Sequence, residues 1–383
     1  MAIDFDLIRD RRNSDSLKWS ESRANQVIPM WVADMDFASP ECVLRALKER
    51  VEHGVFGYPA VTDAVTQSVI DWAASHYGWQ IEAKWLVWLP GLVSGIHLAC
   101  QALADDGEEV VTLVPAYPPF LAAPRATGRG LKTVGLAQDS GRWTLDLDAL
   151  SSAITPRTKC LIFCNPHNPV GRVFGREELA AVAEVCQRHG LAVCSDEIHC
   201  DLALKPGVHV PFATLGAEVA DRTVTLMSPS KTFNLSGLGC GFAVIPNQDL
   251  RRRFRRAASE LVPLPNVLGL IACRAAFAEG EPWRLELIEY LRGNRDLLEA
   301  YFREHLPQFS VSHVEGTYLA WIDARRFRGQ DAMRFFESAG LRLSDGRLFQ
   351  GEGFVRLNFG CPRSTLQDAL ERISAAVSKL ESK

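Results

Sequence analysis

The sequence predicts an α/β protein: a large domain with a mostly parallel sheet sandwiched between helices, followed by a smaller α+β domain. Short apolar runs rich in Val, Ile, Leu and Phe, bounded by Pro, Gly, Asn or Asp, recur through the middle of the chain. Strands buried on both faces of a sheet have that composition. Amphipathic helical patterns lie between the runs, and strand–helix alternation argues for a parallel sheet. In the last third the rhythm changes to one long helix followed by mixed strands and helices.

The elements follow in order. Residues 85–104 contain no Asp, Glu, Lys or Arg over twenty positions, long enough to span a bilayer. Pro90 and Gly91 break the stretch, so it is read as a strand end, a tight turn and an apolar helix rather than a membrane span. Strands are expected at 109–115, 160–164, 192–195, 223–227 and 241–245. A helix is expected over 176–190, with Leu179, Val182, Ala183 and Cys186 on one face and Gly190 placed as its C-cap. The long helix is expected at 282–306, followed by strands at 309–314, 318–322 and 354–358 and helices at 330–339 and 364–380. The expected division is 1–45 as an N-terminal segment serving the small domain and the active site, 46–281 as the large domain, and 282–383 as the small one.

The 383 residues carry 42 Lys and Arg against 46 Asp and Glu, a formal net charge of −4. So even a balance gives no electrostatic footprint for nucleic acid or an anionic membrane. The ten cysteines contain no CxxC pair, so the close ligand spacing of a structural metal site is missing. Most lie in apolar runs and read as reduced core thiols. The first ten residues carry acids where a signal peptide needs a basic start and an apolar stretch. A reducing cytoplasmic location is therefore expected.

Four segments carry candidate chemistry, and each is weak alone. SPSKTFN at 228–234 puts Lys231 after an apolar strand among small residues, where desolvation would make it an amine nucleophile. A lone lysine there is otherwise an ordinary loop residue. AVCSDEIH at 192–199 puts Asp196 at the carboxyl end of a buried strand, the edge where open α/β sheets bind ligands. Such an aspartate suits a pyridine-ring nitrogen, although a helix N-cap uses the same residue. FCNPHNPVG at 163–171 makes a turn presenting Asn168. LPGLVSGIH at 89–97 opens a helix whose first amides could hold a phosphate.

Taken together and in this order, with PAYP at 115–118, these segments resemble the fold-type I pyridoxal phosphate enzymes of the aminotransferase class I/II superfamily. The runs PMWVADMDF at 29–37, PAYPPF at 115–120 and SDEIH at 195–199 are similar to its MalY/PatB group, the cystathionine β-lyase-like C–S lyases. The resemblance runs from Pro29 to about Arg363. It implies that Lys231 forms the Schiff base with the cofactor and moves the substrate Cα proton. It also implies that Asp196 pairs with the pyridinium nitrogen, Asn168 bonds the ring oxygen and Tyr117 stacks on the ring. Val93, Ser94, Ser228 and Ser230 are then phosphate ligands, and His199 belongs to the cofactor shell. Tyr58 matches a tyrosine that reaches the neighbouring subunit's phosphate, which implies a homodimer with shared sites. Arg356 is expected to grip the substrate carboxylate through its bidentate fork, and Trp31 and Ala33 to face the substrate.

Two departures narrow the activity. Three residues after Asp196 the usual tyrosine of the aminotransferases is replaced by His199, and eight residues after Lys231 the usual phosphate-binding arginine is replaced by Gly239. Both tilt the reading toward elimination of a thiol from an S-substituted cysteine, giving pyruvate and ammonia. An aminotransferase of the same fold is the alternative. A binding protein that has lost the chemistry fits poorly with Lys231, Asp196, Asn168 and Arg356 all present.

Overall fold

In the computed structural model, which describes residues 3–20, 27–205, 209–259, 261–327 and 331–381, the central feature is a seven-stranded sheet. Its spatial order is Leu86–Leu89, Gly241–Val244, Thr223–Met227, Ala192–Asp196, Thr158–Cys164, Glu109–Val114 and Gly130–Gly135. The last five run parallel. Gly241–Val244 is antiparallel to both of its neighbours. Apolar clusters cover both faces of the sheet, one built around Ile96, Cys160 and Phe254, the other around Leu161, Val182 and Phe212. This explains why these strands are written as unbroken apolar runs.

Register brings three loops to one edge. Cys164 pairs with Asp196, and Asp196 with Leu226, so the chains leaving at 165, 197 and 228 emerge side by side. The helix Leu92–Leu103 begins just after the Pro90–Gly91 turn and lies over the sheet. The helix Arg176–His189 ends at Gly190 in the left-handed region at φ 69°, where a side chain would cost energy and glycine does not.

A second, four-stranded sheet is antiparallel throughout, in the order Ser310–Val311, Leu319–Asp323, Phe354–Asn358 and Ser344–Asp345. The long helix Glu281–His305 and the helix Arg363–Glu381 pack against each other beside it. The strand expected over 309–314 shrinks to two residues because Glu299 pulls the chain out of the sheet. Its carboxylate accepts from the Val314 amide at 2.9 Å and meets His313 at 2.9 Å. The helix expected from 330 runs Ala332–Ser338, capped by Asp331, and Gln330 itself lies outside the described residues. The short strand Ile28–Pro29 runs parallel to Leu341–Arg342 and leads the chain toward the cavity described below. No helix among the described residues is long and apolar enough to cross a membrane.

Candidate active site

The carboxyl edge of the large sheet opens into a cavity of about 450 Å³, within the size range of small-molecule sites. Lys231, Asp196, Asn168, Tyr117, His199, Arg356, Ser228, Ser230, Val93, Trp31 and Ala33 all line it. Two predicted residues do not. The Ser94 hydroxyl turns back to donate to the Gly91 carbonyl at 2.6 Å, as a first-turn serine readily does. Tyr58 lies on the outer surface, fully exposed.

Lys231 is the fourth residue after the strand Thr223–Met227, following Ser228, Pro229 and Ser230, and its Nζ donates to the Ala33 carbonyl at 2.6 Å. Burial pushes its ammonium down to about 8, with Asp34 and Asp196 pulling up and Arg356 pushing further down. An amine so placed has a useful neutral fraction near neutral pH. Asp196 is 3% exposed, and among the described residues its carboxylate accepts one hydrogen bond, from the Ile198 amide at 3.0 Å. Burial raises its carboxyl to about 7, against the Ile198 bond. A buried carboxylate with one donor and no ion pair is a site for a cation.

Arg356 comes from the second sheet. It donates to the Asn168 Oδ1 at 2.9 Å, the Trp31 carbonyl at 2.8 Å and the Ser344 hydroxyl at 3.2 Å, while its buried Nε has no partner. Burial lowers its guanidinium to about 10, so it stays charged. His199 is also buried, and its Nδ1 has no partner among the described residues. Burial, then the nearby Lys231 and Arg356, hold it near 3, so the imidazole is neutral.

These donors and acceptors fit the cofactor that the sequence resemblance implies. Asp196 offers the unpaired carboxylate for a protonated ring nitrogen. The helix Leu92–Leu103 begins at the cavity wall with Val93 in its first turn, where free amides and the helix dipole favour phosphate. The Ser228 hydroxyl donates to the Cys240 carbonyl at 2.6 Å, accepts from the Ser230 amide at 3.1 Å and lies 2.8 Å from the Ser230 hydroxyl, which ties the two serines together at the cavity wall. An arginine is excluded from position 239 by its backbone: Gly239 has φ +58°, and a Cβ there would come within 2.9 Å of the Pro90 carbonyl oxygen.

Sequence reasoning missed several wall residues. Leu17, Ser236, Ser344, Leu348 and Phe349 line the cavity, as do Cys164 and Cys240, two of the thiols read from sequence as plain core. Cys164 ends the strand Thr158–Cys164 and Cys240 immediately precedes Gly241–Val244, positions that could have marked them. Leu348 and Phe349 lie in a short turn with no motif. Among the described residues no cluster of three or more His, Cys, Asp or Glu is arranged to hold a metal ion.

Comparison with known proteins agrees with this geometry. The family model for aminotransferase class I and II matches residues 25–373. Cystathionine beta-lyase PatB of Bacillus subtilis is 37% identical over 98% of this chain and 100% of its own length. Protein MalY of Escherichia coli is 30% identical over 98% and 99%. Among solved structures, OvoB superposes with a TM-score of 0.95 at 46% identity, covering 98% of this chain and 99% of that one. Cystalysin from Treponema denticola, which contains pyridoxal 5'-phosphate, gives 0.95 at 32% identity, covering 99% and 100%. The match to the family model over nearly the whole chain, joined to a lysine, an aspartate and an arginine converging at one sheet edge, means that this chain belongs to the aminotransferase class I and II family, alongside PatB and MalY.

Proposed function

We propose that this protein is a pyridoxal-phosphate-dependent carbon–sulfur lyase, converting L-cystathionine or a related S-substituted L-cysteine to a thiol, pyruvate and ammonia. The observation that carries the reading is the meeting of Lys231, Asp196, Asn168 and Arg356 in one cavity, in a chain 37% identical to a cystathionine β-lyase over almost its full length.

The bound cofactor supplies an electron sink for the pair left when a Cα proton departs. The chain's residues supply the rest. Arg356 presents its fork, with Nε still free, to the substrate carboxylate. That fixes the amino acid with its Cα toward Lys231, whose Nζ is the base that takes the Cα proton. Asp196 would keep a positive charge on the ring nitrogen, and Asn168 would donate to the ring oxygen. Tyr117 would pack against the ring. Val93, Ser228 and Ser230 would hold the phosphate. Trp31, Ala33, Leu17, Leu348 and Phe349 form a largely apolar wall that limits access of water to the thiol-bearing side chain.

Tyr58 supports a homodimer with shared sites. It is fully exposed, and its sequence neighbours Val51, Val55 and Phe56 are each more than half exposed. Exposed apolar side chains gathered in one segment fit an interface. The ten free cysteines, nine of them buried, support a reducing, cytoplasmic location.

Incubation of the holoenzyme with L-cystathionine tests the lyase reading. Pyruvate is expected to appear without any added 2-oxo acid. Product that appears only when a 2-oxo acid acceptor is supplied would instead establish the aminotransferase, a reading favoured by the 31% identity to a probable N-succinyldiaminopimelate aminotransferase of Mycobacterium tuberculosis.

A further inference from the structure

The run at 29–37 contains two aspartates that the chemistry above does not use. Its backbone forms a strap between the two sheets, and its carbonyls are held one after another by site residues. The Trp31 oxygen accepts from Arg356 and from the Ser344 hydroxyl, both at 2.8 Å. Asn358 donates to the Val32 oxygen at 2.6 Å and to the Asp34 oxygen at 2.7 Å. The Ala33 oxygen accepts from Lys231 at 2.6 Å and from the Tyr318 hydroxyl at 2.9 Å. Asn234 closes the series on Met35 at 2.9 Å. Lys231 and Asn234 belong to the loop of the large sheet, Arg356 and Asn358 to a strand of the small one. The strap is thus the shared contact of the two cations that must face one substrate.

The carboxylates of the strap bond a cluster of donors from residues 11–19, and Asp34 also lies near Lys231. Asp36 accepts from Arg11 at 2.6 Å, Lys18 at 2.7 Å and the Trp19 indole at 2.9 Å. Arg11 also reaches Asp34 at 2.8 Å. Lys18 is 1% exposed and Asp36 6%, so this is a buried ion pair. Such pairs add little net stability over a packed apolar pair, and their best-attested use is to fix one arrangement among several. Leu17, next to Lys18, forms part of the cavity wall.

We propose that the Lys18–Asp36 pair, with Arg11, is a positioning latch. By seating the strap it sets the separation of Lys231 and Arg356, and it places Leu17 against the substrate. The inference rests on the assignment of Lys231 and Arg356 to cofactor and substrate. Charged groups facing Lys231 are Asp34, Asp196 and Arg356, so a strap that slips moves Asp34 relative to the lysine.

The test uses holoenzyme of the Lys18→Met/Asp36→Leu double variant and of Arg11→Gln. Replacing both members of a buried pair spares stability, so the double variant is expected to melt close to wild type. Its KM for S-methyl-L-cysteine is expected to rise roughly tenfold or more. The pH midpoint of its visible cofactor band is expected to move, and Arg11→Gln to give smaller changes in both readings. A double variant with wild-type KM and midpoint overturns the latch. If the double variant does not fold, wild-type values in Arg11→Gln overturn it. The band reports on Lys231 whichever reaction the site runs. Where S-methyl-L-cysteine is not turned over, the latch is decided on the midpoint alone, and the lyase assignment is decided by the L-cystathionine assay.

Discussion

Arg356 Nη1 donates to Oδ1 of Asn168 at 2.9 Å, and this bond fixes which way the amide faces. A guanidinium has donors only, so the amide oxygen must turn to it and the NH₂ must turn to the cavity. On the proposed assignment, Asn168 is thereby a donor toward the ring oxygen. Asn168→Asp replaces that donor with an anion and tightens the grip on Arg356 by a charge-assisted pair. The holoenzyme's visible band is expected to shift, and the KM for the amino acid to rise roughly tenfold or more as Arg356 is drawn from the carboxylate. Steady-state kinetics with a spectrum of the same sample checks both; an unchanged KM contradicts the shared role of the two residues.

Asp196 makes stability depend on pH in a predictable direction. Its folded-state pKa is raised from 3.8 to about 7, chiefly by burial. A raised carboxyl binds its proton more tightly when folded, so its penalty is absent below about pH 4, grows up to pH 7 and is constant above. Asp196→Asn removes an uncompensated buried charge. The apoprotein is therefore expected to gain on the order of 2–4 kcal/mol at pH 8 and little at pH 4. Adding pyridoxal phosphate reverses the ranking, because only wild type gains the pairing with a protonated ring nitrogen. Thermal melts at the two pH values, with and without cofactor, test this; a less stable Asp196→Asn apoprotein at pH 8 contradicts it.

What the sequence made legible follows from how each residue is held. The strands Thr223–Met227 and Ala192–Asp196 are buried on both faces, so their apolar runs can be read directly, and Asp196 and Lys231 were readable because each lies at or just past such a run. Asn168 was marked by its two Asn-Pro pairs. The contacts that join these residues leave no such trace. Ala33 meets Lys231 across 198 positions through a backbone carbonyl, a group every residue possesses. Lys18 and Asp36 are 18 apart with no periodicity between them, and the two-residue strands Ser310–Val311 and Ser344–Asp345 are too short for alternation to appear. Ser94 was marked for a backbone or hydroxyl contact by its place in the phosphate loop; its hydroxyl bonds the Gly91 carbonyl, which leaves the backbone contact.

Under the proposed homodimer with shared sites, Tyr58 serves the neighbouring subunit's site. In a C2 dimer the contribution is reciprocal: each subunit lends its tyrosine and receives the other's. Lys231→Ala and Tyr58→Ala homodimers are both expected to be impaired, the first because the base is gone, the second because the phosphate loses a ligand. When the two are unfolded together and refolded at equal amounts, half of the dimers are hybrids. Each hybrid has one site with both Lys231 and Tyr58 and one with neither. Activity is therefore expected to recover toward about a quarter of wild type by this pairing. If Tyr58 served its own subunit, every site in the mixture would lack one of the two residues, and no recovery would follow.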